Sequence, residues 1–160
     1  MKGVKMKQGY LDTISLIERL HRLFLEVIRS ELDILRVDDI NNVQALVLYN
    51  LGGEQISIGE LTTRGCYLGS NVSYNLKKMV QNGYVDQVTS RHDRRSCTIK
   101  LTEKGLALYR KLDTAMDRHV ENFKSMGTSS FDNLVTALKA IEGFWKGASI
   151  QKLRFYAKNE

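Results

Sequence analysis

From about Tyr10 the apolar residues recur at helical spacing: Leu11, Ile14, Ile17, Leu20, Phe24, Val27, Ile28, Leu32 and Leu35. They form the stripe of one amphipathic helix of about seven turns, with Glu18, Arg19, Arg22, Glu26 and Arg29 mostly off it. The basic residues at positions 2, 5 and 7 ahead of the stripe read as a frayed end. Asp38 or Asp39 can cap a second helix to about position 51, because a short carboxylate accepts orphan backbone N–H groups. Val43, Leu46, Val47 and Leu51 make its buried face, and Gly52-Gly53 ends it. A minimal strand at 55–57 leads into a short helix over 58–64, where Ser57 and Glu60 stand at capping-box spacing. After Gly65, Ser70 or Asn71 starts a helix running to about position 82. One of its faces is apolar (Val72, Leu76, Met79, Val80) and the other polar (Asn71, Ser73, Tyr74, Lys77, Lys78, Gln81).

The period then changes. Residues 84–90 and 96–101 alternate as two strands, with Cys97, Ile99 and Leu101 on the inward side. Between them lies Arg91-His92-Asp93-Arg94-Arg95, too charged for a buried turn. Thr102 opens another long helix, to about position 126, striped by Leu106, Tyr109, Leu112, Met116, Val120 and Phe123. Thr128-Ser129-Ser130 caps a last helix containing Phe131, Leu134, Leu138, Ile141 and Trp145. The predicted order is a long helix, three shorter helices, a hairpin and two long helices. The fold class is mostly α with a small β-hairpin wing.

Composition agrees with long helices. Among 160 residues there is no proline, where average usage would supply about eight. No apolar run approaches the roughly 18 residues of a membrane span. Asp12, Glu18 and Arg19 interrupt any apolar stretch behind Met1-Lys2-Gly3-Val4-Lys5, so no export signal is read. Cys66 and Cys97 are too few and too far apart for a disulfide framework or a CxxC site. A cytoplasmic, nucleoid-associated protein is expected, with no membrane partner.

Charge changes the picture more. The chain carries a formal net charge of +6, a surplus that attracts polyanions. Residues 64–104 hold eight basic side chains (Arg64, Lys77, Lys78, Arg91, Arg94, Arg95, Lys100, Lys104) against Asp86, Asp93 and Glu103, which is +5 of that +6. Two helices joined by a tight turn, the second amphipathic and followed by a basic hairpin, form a winged helix-turn-helix plan. The exposed face of the second helix offers donors and acceptors to double-stranded DNA in the major groove. An arginine-tipped ribbon can enter a narrow minor groove, where negative potential is high. Taken alone, Lys77-Lys78 is an ordinary solvated helix face; beside the wing and the focused charge it becomes a DNA contact. The expected contacts are Ser70, Asn71, Ser73, Tyr74, Lys77 and Lys78 on the recognition helix. Arg91, Asp93, Arg94 and Arg95 belong to the wing, and Thr62 and Arg64 lie on the preceding helix. So much apolar helix outside a small winged module argues for a core shared between two chains.

Asp93-Arg94-Arg95, followed by Leu101-Thr102-Glu103-Lys104-Gly105, resembles the wing signature of MarR-type regulators, in which Asp-x-Arg precedes Leu-Thr-x-x-Gly. The element order is similar over roughly residues 10–150. The resemblance implies an obligate homodimer with interleaved first and last helices on a pseudo-palindromic operator, usually as a repressor. It implies dimerisation helices at 1–37 and 105–160 around a DNA-binding lobe at 38–104, as one intertwined domain. It further implies that Arg95 reaches the minor groove while Asp93 braces the wing. Many members release DNA when a small aromatic or phenolic molecule binds between the lobes, and the crevice near Leu20, Phe24, Leu46 and Leu61 is the candidate pocket.

Other readings are weaker. Redox-sensing members carry a cysteine in the first helix, and here that helix has none; Cys66 in the turn is either a thiol sensor or a half-buried small residue. Cys97 reads as core. His21 and His119 sit on separate long helices, and two histidines alone make a poor metal site; no metal or cofactor is expected. No GxGxxG, phosphate-cradling Gly-Lys-Ser/Thr, GxSxG or HExxH motif occurs, so an enzyme is not expected. A non-specific architectural DNA-binding protein would spread its charge, and a winged module for protein contact would lack the arginine-rich wing.

Overall fold

The computed structural model describes the backbone of residues 2–65, 69–89, 97–127 and 130–156, and the side chains of 5–64, 71–88, 97–127 and 130–147. Its elements follow the predicted order: α1 (Lys2–Ile34), α2 (Asn42–Leu51), β1 (Ile56–Ser57), α3 (Ile58–Gly65), α4 (Gly69–Gln81), β2 (Val85–Thr89), β3 (Cys97–Leu101), α5 (Glu103–Ser125) and α6 (Asp132–Tyr156). The chain divides into two compact units, residues 1–116 and 117–160.

In the first unit the last turns of α1 enter the core through Ile28 and Leu32. They pack with Ala45, Val47, Leu48 and Leu51 of α2, Leu61 of α3, Val72, Leu76 and Met79 of α4, and Leu108 and Leu112 of α5. Tyr49 of α2 donates a hydrogen bond to Asp113 of α5 at 2.9 Å and stacks, tilted, on Tyr109. The sheet order is β1-β3-β2, all antiparallel, with Val85 opposite Leu101 and Thr89 opposite Cys97. Ile56 and Ile99, paired across the β1–β3 seam, seal its inner face.

Four local expectations change. The basic start is helical rather than frayed, because extending a nucleated helix costs little and lysine is a good helix former. The cap of α2 is Asn41, whose side chain accepts the Gln44 N–H at 2.8 Å while Gln44 accepts the Asn41 N–H at 3.1 Å. Asp38 and Asp39 lie further upstream, and the Asp39 carboxylate is bonded elsewhere. Cys97 is half-buried with a free thiol, since it starts β3 at the loop end of the hairpin, away from the core end at Val85 and Leu101. Val80 is exposed where it edges a crevice with Ile58 and Gln87.

The second unit is the end of α5 and α6. Gly127, at φ 86°, lets the chain leave α5 in the left-handed region that a side chain disfavours. Phe123 and Phe131 then meet edge to face at 5.6 Å across the turn. Ser130 accepts the Asp132 N–H at 3.1 Å at the start of α6. The other two residues of the expected cap, Thr128 and Ser129, lie outside the described residues.

Candidate nucleic-acid interface

Ser57 caps α3 by accepting the Glu60 N–H at 3.1 Å. The Glu60 side chain does not return to complete the box; it bonds Arg64 instead. Leu61 is fully buried and anchors α3, leaving its outer face to solvent. α4 follows, with Val72, Leu76 and Met79 buried. That burial turns Asn71, Ser73, Tyr74, Lys77 and Lys78 outward together. Tyr74 is 63% exposed, so it is not spent on packing. Lys77 and Lys78 join no ion pair among the described residues and remain available cations.

The expected site residues separate into groups. The five outward side chains of α4 share one face. Ser70 belongs to the first turn of α4, but its side chain lies outside the described residues, as do Arg91, Asp93, Arg94, Arg95 and Cys66 entirely. The two strands that carry the wing bring its base beside α4. Thr62 donates its hydroxyl to the Ile58 carbonyl at 2.8 Å, within its own helix. Arg64 is held by Glu54 at 2.7 Å and Glu60 at 2.8 Å, and these two bonds raise its pKa. Leu20 and Phe24 are exposed on α1, Leu46 is half-buried and Leu61 lies in the core. The two crevices described between α1 and α2 are lined by other residues. Among the described residues no group of three or more His, Cys, Asp or Glu could hold a metal ion.

One polar cluster escaped the sequence. Asp39, in the α1–α2 linker, accepts hydrogen bonds from Tyr84 Oη at 2.5 Å and Lys104 Nζ at 2.6 Å. Partial burial pushes the Asp39 carboxyl up, but those bonds outweigh it and hold the pKa below the usual value. Burial and the bond to Asp39 raise the Tyr84 phenol. A signal existed at Lys104: a cation in the first turn of a helix opposes the macrodipole, so it needs a partner from elsewhere.

The family profile of the winged helix DNA-binding domain matches residues 40–105. The exopolysaccharide II synthesis transcriptional activator ExpG of Rhizobium meliloti is 39% identical over 143 residues, covering 88% of this chain and 73% of that one. AbsC, a MarR family transcriptional regulator from Streptomyces coelicolor, superposes with a TM-score of 0.68 at 22% identity, over 86% of this chain and 94% of that one. FabT of Streptococcus pneumoniae, solved in complex with DNA, gives 0.63 at 18% identity, over 88% and 97%.

The chain belongs to the MarR family. It is a DNA-binding transcriptional regulator of MarR type. In MarR terms, α3 and α4 are the helix-turn-helix and β2–β3 the stem of the wing. Among the described residues no helix is long and apolar enough to cross a membrane.

Proposed function

We propose that this MarR-type regulator acts as a homodimer on a pseudo-palindromic operator, in the cytoplasm at the nucleoid, and releases DNA when a small aromatic effector binds. In this reading α4 enters the major groove through Asn71, Ser73, Tyr74, Lys77, Lys78 and Ser70, and the wing enters the minor groove through Arg95, supported by Asp93, Arg91 and Arg94. Thr62 and Arg64 flank a phosphate, with Arg64 exchanging its carboxylate partners for that phosphate. The observation that carries the reading is the two-sidedness of α4: a buried apolar face holds it to the lobe and a polar, cationic face is turned to solvent.

Two faces support the dimer. Leu16, Leu20, Leu23 and Phe24 stand exposed on α1, and Leu134, Val135, Phe144 and Trp145 on α6. Monomers rarely leave so much contiguous apolar helix in water. A crevice of about 280 Å³ lined by Arg19, Arg22, Leu23, Leu25, Glu26 and Asn42 supports an effector site. Leucine walls with two guanidinium groups suit an aromatic ring bearing an anionic group. Repression is the first expectation for this family; activation is the second reading, favoured by the description of ExpG as an activator.

Selection of bound duplexes from a random pool tests the reading. The expected product is a palindrome with half-sites about 10–10.5 base pairs apart, bound by a dimer. A stable monomer, or a pool that never enriches, overturns it. Transcription in vitro from a promoter carrying the selected site then separates repression from activation.

A further inference from the structure

We propose that Asp39, Asn82, Tyr84 and Lys104 form a positioning latch that pins the C-terminal end of α4 to the α1–α2 linker, and that sequence discrimination on DNA depends on it. The proposal rests on the reading that α4 is the recognition helix.

α4 ends at Gln81. Gly83 takes φ 74°, and the Tyr84 N–H reaches back to the Met79 carbonyl at 2.9 Å, which stops the helix. At this end several polar groups converge on one linker residue or its partners. The Asn82 side-chain amide donates to the Asp39 backbone carbonyl. The Asn82 carbonyl accepts from Lys104 Nζ at 2.9 Å, and the same ammonium bonds Asp39 Oδ2 at 2.6 Å. Tyr84 Oη bonds Asp39 Oδ1 at 2.5 Å, and Lys104 Nζ sits 4.1 Å from the centre of the Tyr84 ring. Tyr84 is buried, so its hydroxyl is a fixed anchor. Asp39 comes five residues after α1: the chain turns off the helix at Arg36, φ 54°, with the Val37 N–H on the Leu32 carbonyl, and the linker is tucked in by buried Ile40. The cluster thus joins the long helix to the end of α4.

A single exposed ion pair contributes little to stability, and the Lys104–Asp39 pair is about half exposed on both sides. Its consequence is geometric. Asn71 lies 11 residues from Asn82 along the chain, about 16 Å at 1.5 Å per residue. A tilt of about 5° about the pinned end moves the Asn71 turn by roughly 1.5 Å, outside the tolerance of a hydrogen bond to a base. Asp39 also lines a cleft with Tyr74 and Lys78, on the side of α4 that would meet phosphate. Charge alone therefore predicts that neutralising Asp39 tightens DNA binding. The latch predicts the opposite on the operator.

The experiment measures affinity for a selected operator and for scrambled duplex at one salt concentration, using the full chain, Asp39→Asn, Lys104→Gln and the double variant, each checked for folding by thermal melting. Asp39→Asn is expected to lose about tenfold on the operator while its affinity for scrambled DNA holds or rises. Lys104→Gln is expected to lose more on the operator than on scrambled DNA, and the double variant no more than the worse single, because both break one unit. Lys104→Arg, which can keep the bonds, should restore discrimination. If the full chain prefers its operator and folded Asp39→Asn keeps the same preference, the latch is wrong and the reading of α4 stands. If the full chain prefers no sequence, both fall.

Discussion

Gly105→Ala is the sharpest test of how the wing is joined to α5. A Cβ built at Gly105 would lie under 3.0 Å from the Tyr84 carbonyl oxygen and 3.2 Å from both the Tyr84 carbonyl carbon and Leu101 Cβ. Ordinary carbon–oxygen contacts are about 3.3 Å or longer, so backbone must separate from backbone by about 1 Å. That carbonyl accepts the Thr102 N–H at 3.1 Å, and Thr102 in turn donates to the Gly83 carbonyl at 2.7 Å and caps α5 by accepting the Gly105 N–H at 3.1 Å. Overpacking of this kind costs about 1–3 kcal/mol, and a weakened cap adds about 1 kcal/mol. Alanine returns up to about 1 kcal/mol of helix propensity. The net expectation is a loss of about 1–3 kcal/mol, a drop of about 2–12 °C in Tm for a chain of this size. Urea melts followed by circular dichroism at fixed protein concentration give the value. Helix propensity alone predicts a gain, so a variant as stable as the parent, or more so, refutes the close approach.

Lys77→Ala is expected to weaken binding to all sequences alike and to lower the log–log salt slope by about one unit per site engaged, whereas Asn71→Ala should cost about 1–3 kcal/mol at particular base pairs. Arg64→Ala should weaken DNA binding but change the affinity less than Lys77→Ala does, because Arg64 must first give up Glu54 and Glu60 to reach the phosphate; unchanged affinity would remove Arg64 from the interface. A Leu20→Asp, Leu23→Asp double variant should yield monomer in sedimentation, and an unchanged dimer would remove that face of α1 from the interface. Tyr84 holds its proton more tightly in the folded state than its ordinary value of 10.0 allows. Its contribution is therefore whole below pH 10.0 and is lost as the pH rises through the folded value. Asp39 is the mirror case, its contribution being lost as the pH falls below its ordinary 3.8. Urea melts across alkaline pH should show Tyr84→Phe losing less stability than the parent, and parallel curves would count against the shift.

Sequence periodicity by itself determined the order of helices and strands, because the change from a 3.6-residue to a 2-residue period survives whatever the elements pack against. It also determined the outward face of α4, since Val72, Leu76 and Met79 leave that helix one way to sit. The focus of +5 charge in residues 64–104 named the partner before any geometry was known. Other features were decided only in three dimensions. Arg64 counts in sequence as a DNA cation, yet Glu54, ten residues upstream, and Glu60 take up its charge once α3 folds. Leu20 and Leu61 look alike as apolar letters, but one ends in solvent and the other in the core, because α1 enters the lobe only near Ile28. Asp39 reads as a helix cap, and Asn41 takes that role because Tyr84 and Lys104, 45 and 65 residues away along the chain, claim the carboxylate first. Periodicity reports the burial of one element at a time. Polar partnerships across such separations have no period, and only the packed chain brings their two halves within bonding distance.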